Sequence, residues 1–371
     1  MVSAMTICRL PSSMFLLAAV LTLILGACTE PPYLAYSPPD APGSYLPGTA
    51  TSSMTLSTGE DSTIQYWYPA TDEVGGAYLY DGTYPSPSTK EQATPDCTQP
   101  RPVIMFSHGN GGIRFQSYFL TEFLATHGFV VVAPDHTGNT TFDLDDARRG
   151  EMAFRRPEDI QRGFDHAIAD PFLEGCIDPE RGYAMMGHSF GGYTSLAIAG
   201  ATIDVADLAD YCATMPSFVC DAVDAWYAEF PDTHVAQLGD PRAWASIPLT
   251  PAGYAAMQTG LAEIAIPMMV WGGSSDSMTT MADEVSPIYN ALTATPRYLA
   301  ELQNAGHYTF SDACEILPLP LFCGENLIPV EDAHPLINTS ITTFLQYSLD
   351  VTDAPPLPLN DPAIVWESVV D

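Results

Sequence analysis

The chain has 371 residues, of which 46% are apolar, so it is long enough to bury one large hydrophobic core or two small ones. Its 45 acidic residues outnumber its 12 lysines and arginines and give a formal net charge of −33. This charge argues against binding to a nucleic-acid backbone, and it disfavours anionic substrates and anionic membrane surfaces. We interpret the excess acid as a solvated surface that keeps the protein soluble, with salt screening its self-repulsion.

Residues 14–27 form an apolar run, MFLLAAVLTLILGA, which is too short to span a bilayer and ends directly before Cys28. The run predicts a signal peptide over residues 1–27. The tetrapeptide LGAC that ends at Cys28 resembles the lipobox of bacterial lipoproteins. This resemblance implies an exported protein with a lipid on Cys28 that tethers it to a periplasmic or outer-membrane surface. A secreted protein without the lipid is the alternative. The proline-rich residues 28–60 are then the predicted tether.

Six cysteines remain once the signal peptide is removed and Cys28 is lipidated, and an even number in an exported chain favours disulfides. None of the six has the spacing of a metal or redox site, so the sequence implies no metal and no cofactor. Two pairs are close in sequence, which leaves one distant pair, although spacing alone keeps other pairings open. The expected pairs are Cys212 with Cys220, Cys314 with Cys323, and Cys97 with Cys176.

The rest of the chain alternates short apolar runs with amphipathic segments. Continuous apolar strands separated by helices are typical of a mostly parallel sheet covered on both faces, so the pattern predicts an α/β fold. The predicted strands are residues 63–68, 103–107, 129–133, 183–186, 243–249, 266–271 and 297–302. The predicted helices are residues 115–128, a helix that begins at Pro157, residues 190–201, and about 334–347.

These elements make one catalytic domain over residues 61–350. Residues 69–102 are rich in turns and are predicted as strand ends and a long surface loop, whereas residues 351–371 are a C-terminal tail without an assigned element. Residues 203–240 lack a continuous strand and suggest two short helices joined by the Cys212–Cys220 pair. We interpret them as a small cap insertion over the active site, with a plain packing layer as the alternative.

Ser189 lies in the centre of YAMMGHSFGG, which reads as a short strand, a tight turn and the start of a helix. The pattern Gly-x-Ser-x-Gly in this context is typical of a nucleophile elbow, in which the turn lifts the serine hydroxyl above the end of a sheet. Gly187 and Gly191 allow the neighbouring backbone to approach closely. A chance match in a chain with 27 glycines is the alternative.

Partners for this serine follow later strands. Asp276 comes after the predicted strand 266–271, and His307 comes after the predicted strand 297–302. Acyl transfer by serine needs a base and a carboxylate that orients it, and α/β hydrolases supply them in the order Ser, Asp, His. Because the carboxyl ends of parallel strands meet at one edge of the sheet, we expect a triad of Ser189 as nucleophile, His307 as general base and Asp276 as orienting acid. Asp283 and Asp312 are rivals for the acid.

The oxyanion donors are predicted to be the backbone N–H groups of Phe190 and Asn110, which follow the nucleophile and the glycine-rich turn after strand 103–107. Aromatic residues flank the site and are candidates for an acyl pocket, with core packing as the alternative. These are Trp271, Tyr308 and Phe310. The remaining histidines beside these elements, which are His108, His136, His166 and His188, are expected to be structural or unsuited to the triad by position.

Four stretches of the sequence resemble the bacterial α/β hydrolases related to platelet-activating factor acetylhydrolase and to predicted dienelactone hydrolases. They are FSHGNGG at 106–112, HGFVVVAPDH at 127–136, GHSFGG at 187–192 and NAGHYTF at 304–310. The resemblance implies the α/β-hydrolase fold and a serine esterase that hydrolyses short-to-medium acyl esters through an acyl-enzyme. True dienelactone hydrolases use a cysteine nucleophile, so Ser189 departs from them and argues against a lactone substrate.

Polyester hydrolases of the cutinase type share the motif G-H-S-x-G-G and are similar in residue order. The expected partner is therefore a small-molecule or polymeric ester, with no nucleic acid. A lipase with a mobile cap and a non-catalytic surface protein on a hydrolase scaffold are the competing interpretations.

Overall fold

The computed structural model describes residues 34–72, 75–214, 220–316, 323, 327–353 and 361–370. The predicted signal peptide and Cys28 lie outside these residues. The strands in chain order are β1 (Leu46–Thr55), β2 (Asp61–Ala70), β3 (Ala77–Tyr80), β4 (Tyr84–Glu91), β5 (Val103–Ser107), β6 (Val130–Pro134), β7 (Tyr183–His188), β8 (Thr202–Asp204), β9 (Val235–Gln237), β10 (Ala243–Leu249), β11 (Met268–Gly273), β12 (Arg297–Leu302) and β13 (Ile364–Val369). The helices are α1 (Tyr118–Thr126), α2 (Met152–Ala169), α3 (Phe190–Ile198), α4 (Val205–Thr214), α5 (Asp221–Glu229), α6 (Tyr254–Met257), α7 (Ser286–Ala291), α8 (Ala313–Ile316) and α9 (Val330–Ser348).

The described strands form a large sheet in the order β13-β12-β11-β10-β7-β5-β6-β2-β1-β4-β3. Its central six strands, from β12 to β6, are all parallel. Every residue of β5, β6, β7 and β11 is buried, which explains why these strands read as continuous apolar runs. The predicted α/β fold with a mostly parallel sheet is confirmed.

Two layers of helices cover the sheet, because alternate residues of each strand point to opposite faces. On one face, Ile104 and Phe106 pack with residues of α1 and α9. On the other face, Val103 and Met105 pack with residues of α2. The chain runs outward from β5 to β6 and then returns to β7 on the other side of β5. This reversal creates a crevice at the carboxyl ends of β5 and β7, where ligands of open α/β sheets bind.

The predicted cap region contains α4 and α5, joined by the Cys212–Cys220 disulfide, as expected from the sequence. A small antiparallel sheet of β8 and β9 joins the beginning and the end of this region. This sheet was not predicted from the sequence. The other expected disulfides, Cys97–Cys176 and Cys314–Cys323, are also present. Three disulfides indicate an exported protein, because the cytosol keeps thiols reduced.

The predicted tether extends too far into the domain. Residues 46–55 form β1, which pairs antiparallel with β2 along its whole length, and Leu34 is already completely buried. The prediction rested on proline content, but Pro47 lies near the start of its strand, where a proline is tolerated. Residues 47–50 and Met54 of β1 are buried against the rest of the domain, so this strand belongs to the sheet.

The structure differs from the sequence-based expectation in three further places. Residues 69–102, predicted as strand ends and a long surface loop, contain the hairpin of β3 and β4, and the C-terminal tail, to which no element was assigned, contains β13, which pairs with β12. Helix α2 begins at Met152 and not at Pro157. Proline has no N–H for the carbonyl four residues earlier, but the Tyr193 hydroxyl donates to that Ala153 carbonyl at 2.9 Å, so the helix continues through the proline. Within the described part of the chain, every helix is too short or too polar to cross a bilayer.

Candidate active site

The turn between β7 and α3 has the geometry of a nucleophile elbow. Ser189 has φ 58° and ψ −115°, a backbone conformation that is strained for a residue with a side chain. The turn also packs tightly on β5, because a Cβ on Gly191 would lie 1.9 Å from the carbonyl oxygen of Ser107. A Cβ on Gly187 would lie 2.3 Å from the Gly191 carbonyl oxygen. The structure thus requires both glycines of the motif, and it places the serine at the carboxyl end of β7.

His307 and Asp276 meet at the carboxyl ends of β12 and β11. The Nδ1 atom of His307 lies 2.8 Å from Asp276 Oδ2, and both side chains are almost completely buried. The backbone N–H groups of Met278 and Thr279 donate to Asp276 Oδ1, and the Thr279 hydroxyl donates to Oδ2. Burial acts to raise the pKa of Asp276, but these hydrogen bonds and the His307 ring hold it below the usual value. Asp276 therefore stays ionised and fixes the Nδ1–H tautomer of His307.

The rival carboxylates lie elsewhere. Asp283 is exposed and interacts with Thr280. Asp312 is buried, but it accepts a hydrogen bond from the backbone N–H of Phe119 in the first turn of α1. Neither of these aspartates contacts His307 in the described structure, so Asp276 alone has the position that the triad needs.

Ser189 and His307 line the same cavity, which has a volume of about 240 Å³. Asn110, Tyr308 and Met278 are also part of its wall. Within the described residues, no hydrogen bond joins the Ser189 hydroxyl to the His307 ring. Catalytic hydrogen bonds are often long in a free enzyme and shorten when substrate binds, so the arrangement still suits proton transfer between the two side chains.

The two predicted oxyanion donors lie on either side of the serine. Phe190 is the first residue of α3, so its N–H belongs to the positive end of a helix dipole. Asn110 follows Gly109 in the turn after β5, and its N–H has no intramolecular acceptor among the described residues. The N–H of Gly109 is already used, since it donates to Gln116 Oε1 at 3.0 Å. The N–H of Asn110 is therefore available as a donor on this loop.

Hydrogen bonds of His188 and Gln116 connect the turn that carries Asn110 to the loop that carries His307. His188 Nε2 donates to the carbonyl of His307 at 2.9 Å, which leaves His188 Nδ1 as the acceptor for Gln116 Nε2 at 3.0 Å. Burial and the nearby His307 ring lower the pKa of His188 to about 3, so its ring stays neutral. The sequence indicates no catalytic role for His188, and nothing in it marks Gln116, whose partner His188 lies 72 residues away.

The predicted acyl pocket is only partly present. Tyr308 lines the cavity, but Trp271 and Phe310 are completely buried in the main hydrophobic core. The Trp271 ring packs edge-on against Phe310 and against Trp366 of β13. Trp271 points into a helix-covered face of the sheet because its strand is buried on both faces. The assignment of Trp271 and Phe310 to the substrate pocket is therefore wrong.

A parallel sheet with a strained serine after β7, a carboxylate after β11 and a histidine after β12 is typical of the α/β-hydrolase fold. Comparison with known proteins agrees. The model of the prolyl oligopeptidase family matches residues 115–295, just under half of the chain. This match includes Ser189 and Asp276 and ends before His307.

The curated relatives are cutinases. The chain is 26% identical over 209 residues to Cutinase est1 of Thermobifida alba, an alignment that covers 56% of this chain and 53% of the relative. It is 25% identical over 209 residues to Cutinase 1 of Thermobifida cellulosilytica, with 56% and 60% covered, and to a cutinase of Thermobifida fusca (strain YX), with 56% and 52% covered. The chain thus spans about half the length of the curated relatives it matches. The chain has the α/β-hydrolase fold and is similar to cutinases.

Proposed function

We propose that this protein is a serine hydrolase of carboxylic esters that works through an acyl-enzyme. The observation that carries the proposal is the strained Ser189 in one cavity with the His307–Asp276 pair. The names of its cutinase relatives support ester chemistry. The site alone would also suit other acyl transfers, because many reactions share this fold.

The proposed reaction begins when His307 Nε2 accepts the proton of the Ser189 hydroxyl while Oγ attacks the ester carbonyl carbon. The carbonyl oxygen becomes an oxyanion, to which the N–H groups of Phe190 and Asn110 donate. His307 then protonates the leaving alcohol as the C–O bond breaks. In the second half, His307 activates a water that hydrolyses the acyl-enzyme. Asp276 keeps the imidazole oriented and stabilises its charged form in both halves.

The size of the cavity favours short-to-medium acyl esters. A second candidate substrate is a polymeric ester, and a specific observation favours it. Three large apolar side chains beside the cavity are exposed to solvent: Phe142 (70%), Met278 (49%) and Leu144 (47%). Met278 and Thr141, the neighbour of Phe142, line the cavity itself. An exposed apolar rim of this kind suits contact with an apolar surface.

Replacement of Ser189 by alanine tests the function. We expect Ser189→Ala to lower turnover of p-nitrophenyl acetate and butyrate by about 10⁴ to 10⁶-fold, with an unchanged melting temperature. Ser53→Ala, an exposed serine of β1, is the matched control and should keep wild-type activity and labelling by a fluorophosphonate probe. Turnover or labelling that persists in Ser189→Ala would rule out this serine as the nucleophile.

A panel of p-nitrophenyl esters from acetyl to palmitoyl, together with a polyester film, distinguishes the candidate substrates. Short-to-medium acyl preference without film hydrolysis supports the esterase. Activity that rises sharply on aggregated long-chain esters supports a lipase with an opening cap. For the polymeric substrate, Phe142→Ser should lower film hydrolysis while soluble ester turnover stays unchanged.

We also propose that Cys28 anchors the protein to a membrane through a lipid, which the LGAC sequence supports. Metabolic labelling of the full chain with a fatty acid in a bacterial host tests this. Wild type should carry the label and sediment with membranes, and Cys28→Ser should lose both properties. A wild-type chain that is released without label would support the secreted alternative.

A further inference from the structure

A completely buried arginine lies beneath the turn that carries Asn110. Arg156 belongs to α2, and its exposed fraction is 0%. Its Nη1 donates to the carbonyl of His108 at 2.7 Å, and its Nη2 donates to the carbonyl of Gly109 at 2.9 Å. Its Nε and Nη2 also donate to Asn139 Oδ1 at 3.1 and 2.8 Å. The planar guanidinium thus holds two successive carbonyl groups of the loop in a fixed orientation through hydrogen bonds.

These contacts fix the direction of the peptide between Gly109 and Asn110. The Gly109 carbonyl accepts from Arg156, from the ring Nδ1–H of His108 at 2.8 Å and from the N–H of Gly112 at 3.0 Å. In a planar trans peptide, the N–H points opposite to the carbonyl. With the Gly109 carbonyl held toward Arg156, the Asn110 N–H faces away from the arginine. Asn110 and Ser189 line the same cavity, in which the oxyanion of the proposed reaction would form.

Arg156 also contacts the other half of the oxyanion site. Its guanidinium carbon lies 4.6 Å from the centre of the Phe190 ring, a distance typical of a cation–π contact. Asn139, which accepts from Arg156, links the arginine to the side chain of Asn110, because Asn139 Nδ2 donates to Asn110 Oδ1 at 2.9 Å. One buried side chain therefore touches the loop of Asn110 and the residue that provides the second donor.

We propose that Arg156 is a positioning residue for the oxyanion site: it sets the Gly109–Asn110 peptide and the start of α3 so that both N–H donors point at one atom. The proposal rests on the proposed ester hydrolysis for its kinetic consequences. The geometry makes Arg156 more than a core residue, because three of its contacts are with the loop and helix that carry the donors. Its positive charge lies behind these peptides and strengthens their dipoles toward a developing oxyanion.

The charge state of Arg156 agrees with this role. Burial lowers the pKa of Arg156 to about 9, so the guanidinium still carries its charge at neutral pH. Burial has the opposite effect on the nearby carboxyl group of Asp159 and raises its pKa to about 8, although the charge of Arg156 opposes this rise. The aspartate therefore does not fully neutralise the guanidinium near pH 7. Carbonyl oxygens of the loop are the groups that solvate the charge.

The test compares Arg156→Lys with Arg101→Lys. Lysine keeps the charge but lacks the fork that holds two carbonyls, so we expect kcat to fall by about 10 to 100-fold with little change in KM. A trifluoromethyl ketone analogue of the ester should bind more weakly by a similar factor, because it forms the same oxyanion. Arg101 is equally buried and lies before β5, at the opposite end of that strand. Its lysine variant should lose stability but keep kcat and inhibitor affinity.

Asn139→Ala serves as a milder second variant if Arg156→Lys does not fold, and it should lower kcat and inhibitor affinity in the same direction by a smaller factor. A crystal structure of either variant gives a readout that does not depend on turnover. We expect a rotated or disordered Gly109–Asn110 peptide. An unchanged peptide, or a loss of melting temperature with unchanged kcat and inhibitor affinity, would overturn the inference. Loss of all turnover in Ser189→Ala tests the proposed function separately.

Discussion

Two sets of serine, histidine and aspartate in the described part of the chain invite comparison: the first lines the cavity, and the second is buried. The open set is Ser189, His307 and Asp276. The buried set lies at the ends of β5 and β6 and on α2: Ser107 Oγ is 2.8 Å from His136 Nε2, and His136 Nδ1 is 2.8 Å from Asp159 Oδ2. By hydrogen-bond distances, the buried set is the more complete of the two.

The difference between them shows what makes such a set suitable for catalysis. Ser107 and His136 have no exposed surface, and Ser107 belongs to a regular strand. Ser189 is partly exposed, lies in a strained turn and has backbone donors beside it. A reacting carbonyl needs access to the nucleophile and a place for its oxyanion, and hydrogen bonds within the triad supply neither. The buried set instead joins Arg156 to the core, since Arg156 Nη1 donates to Ser107 Oγ at 3.1 Å.

The pKa values of the two aspartates are also shifted in opposite directions. Four hydrogen-bond donors around Asp276 outweigh its burial and keep its pKa below the usual value. Asp159 lacks comparable compensation, and burial raises its pKa to about 8. Asp276 is therefore an anion at neutral pH, whereas the neutral acid is favoured at Asp159. The two sets contain the same residue types, and the histidine–aspartate distance is 2.8 Å in both, but their environments give the carboxyl groups different charges.

Replacement of each aspartate by asparagine should give the largest contrast. Asp276→Asn removes the charge that stabilises protonated His307 and selects its tautomer, so we expect kcat to fall by about 10⁴-fold. Asp159→Asn replaces a carboxyl that is already largely neutral by an amide of the same shape, so the loss of kcat should be much smaller. Steady-state kinetics with p-nitrophenyl butyrate measure both. Equal losses in the two variants would mean that the buried set takes part in the chemistry.

Replacement of Gly191 by alanine should have an effect of intermediate size on activity. This glycine lies in the elbow of Ser189 and packs directly against Ser107 of the buried set. Its Cβ would lie 1.9 Å from the Ser107 carbonyl oxygen and 2.9 Å from that of His108. We expect Gly191→Ala to lower the free energy of unfolding by about 1 to 3 kcal/mol and to lower kcat, because the elbow must move away from β5. Urea unfolding and kinetics measure the two effects.

Gly76→Ala is the control for this prediction. No atom lies within 4 Å of a Cβ built at Gly76, and its backbone is not in the left-handed region. We expect its stability and kcat to stay close to those of the wild type. A Gly191→Ala variant that behaves like Gly76→Ala would show that the elbow tolerates a larger separation from β5 than the structure indicates.

The sequence predicts the open set because its members follow a motif and an order. Ser189, Asp276 and His307 each come directly after a strand of the parallel sheet, and the chain order of these strands restricts where their ends can meet. The elbow also needs two glycines at fixed positions, which a reader of the sequence can see. The core strands are recognisable for a similar reason, since residues buried on both faces must all be apolar.

Other parts of the molecule leave no such signal. Arg156 and Gln116 acquire their roles from carbonyls and rings that are distant in sequence, and arginine in a helix reads equally well as a surface residue. The error at Trp271 has a related cause, because an all-apolar strand does not show which side chain faces a cavity. Helix α2 passes through Pro157 only because the Tyr193 hydroxyl replaces a lost donor. Strands β1 and β13 lie outside the parallel centre of the sheet, and each is recognisable only from its antiparallel pairing with a neighbouring strand.

The smallest expected effect is a difference in how stability depends on pH. The pKa of Asp159 is raised on folding, so it contributes stability that is fully present below the unfolded pKa near 3.8 and is lost as the pH rises toward about 8. Asparagine cannot ionise. We therefore expect Asp159→Asn to become more stable relative to the wild type between pH 5 and 8, by at most about 1.4 kcal/mol per pH unit.

Asp276 should show the opposite sign. Its pKa is lowered on folding, so its contribution is present above the unfolded value and is lost as the pH falls through the folded value. Asp276→Asn should therefore approach the wild type in stability only at acid pH. Urea unfolding of the wild type and both variants from about pH 2 to 8 measures the two slopes, because the contribution of Asp276 changes below its unfolded pKa and that of Asp159 above it. Arg156, Glu158 and His136 also interact with Asp159, but all three remain in the Asp159→Asn variant. The difference in stability between the wild type and this variant therefore measures the contribution of Asp159 itself. Parallel curves for the wild type and Asp159→Asn would contradict a raised pKa at Asp159 and would remove the electrostatic distinction between the two sets.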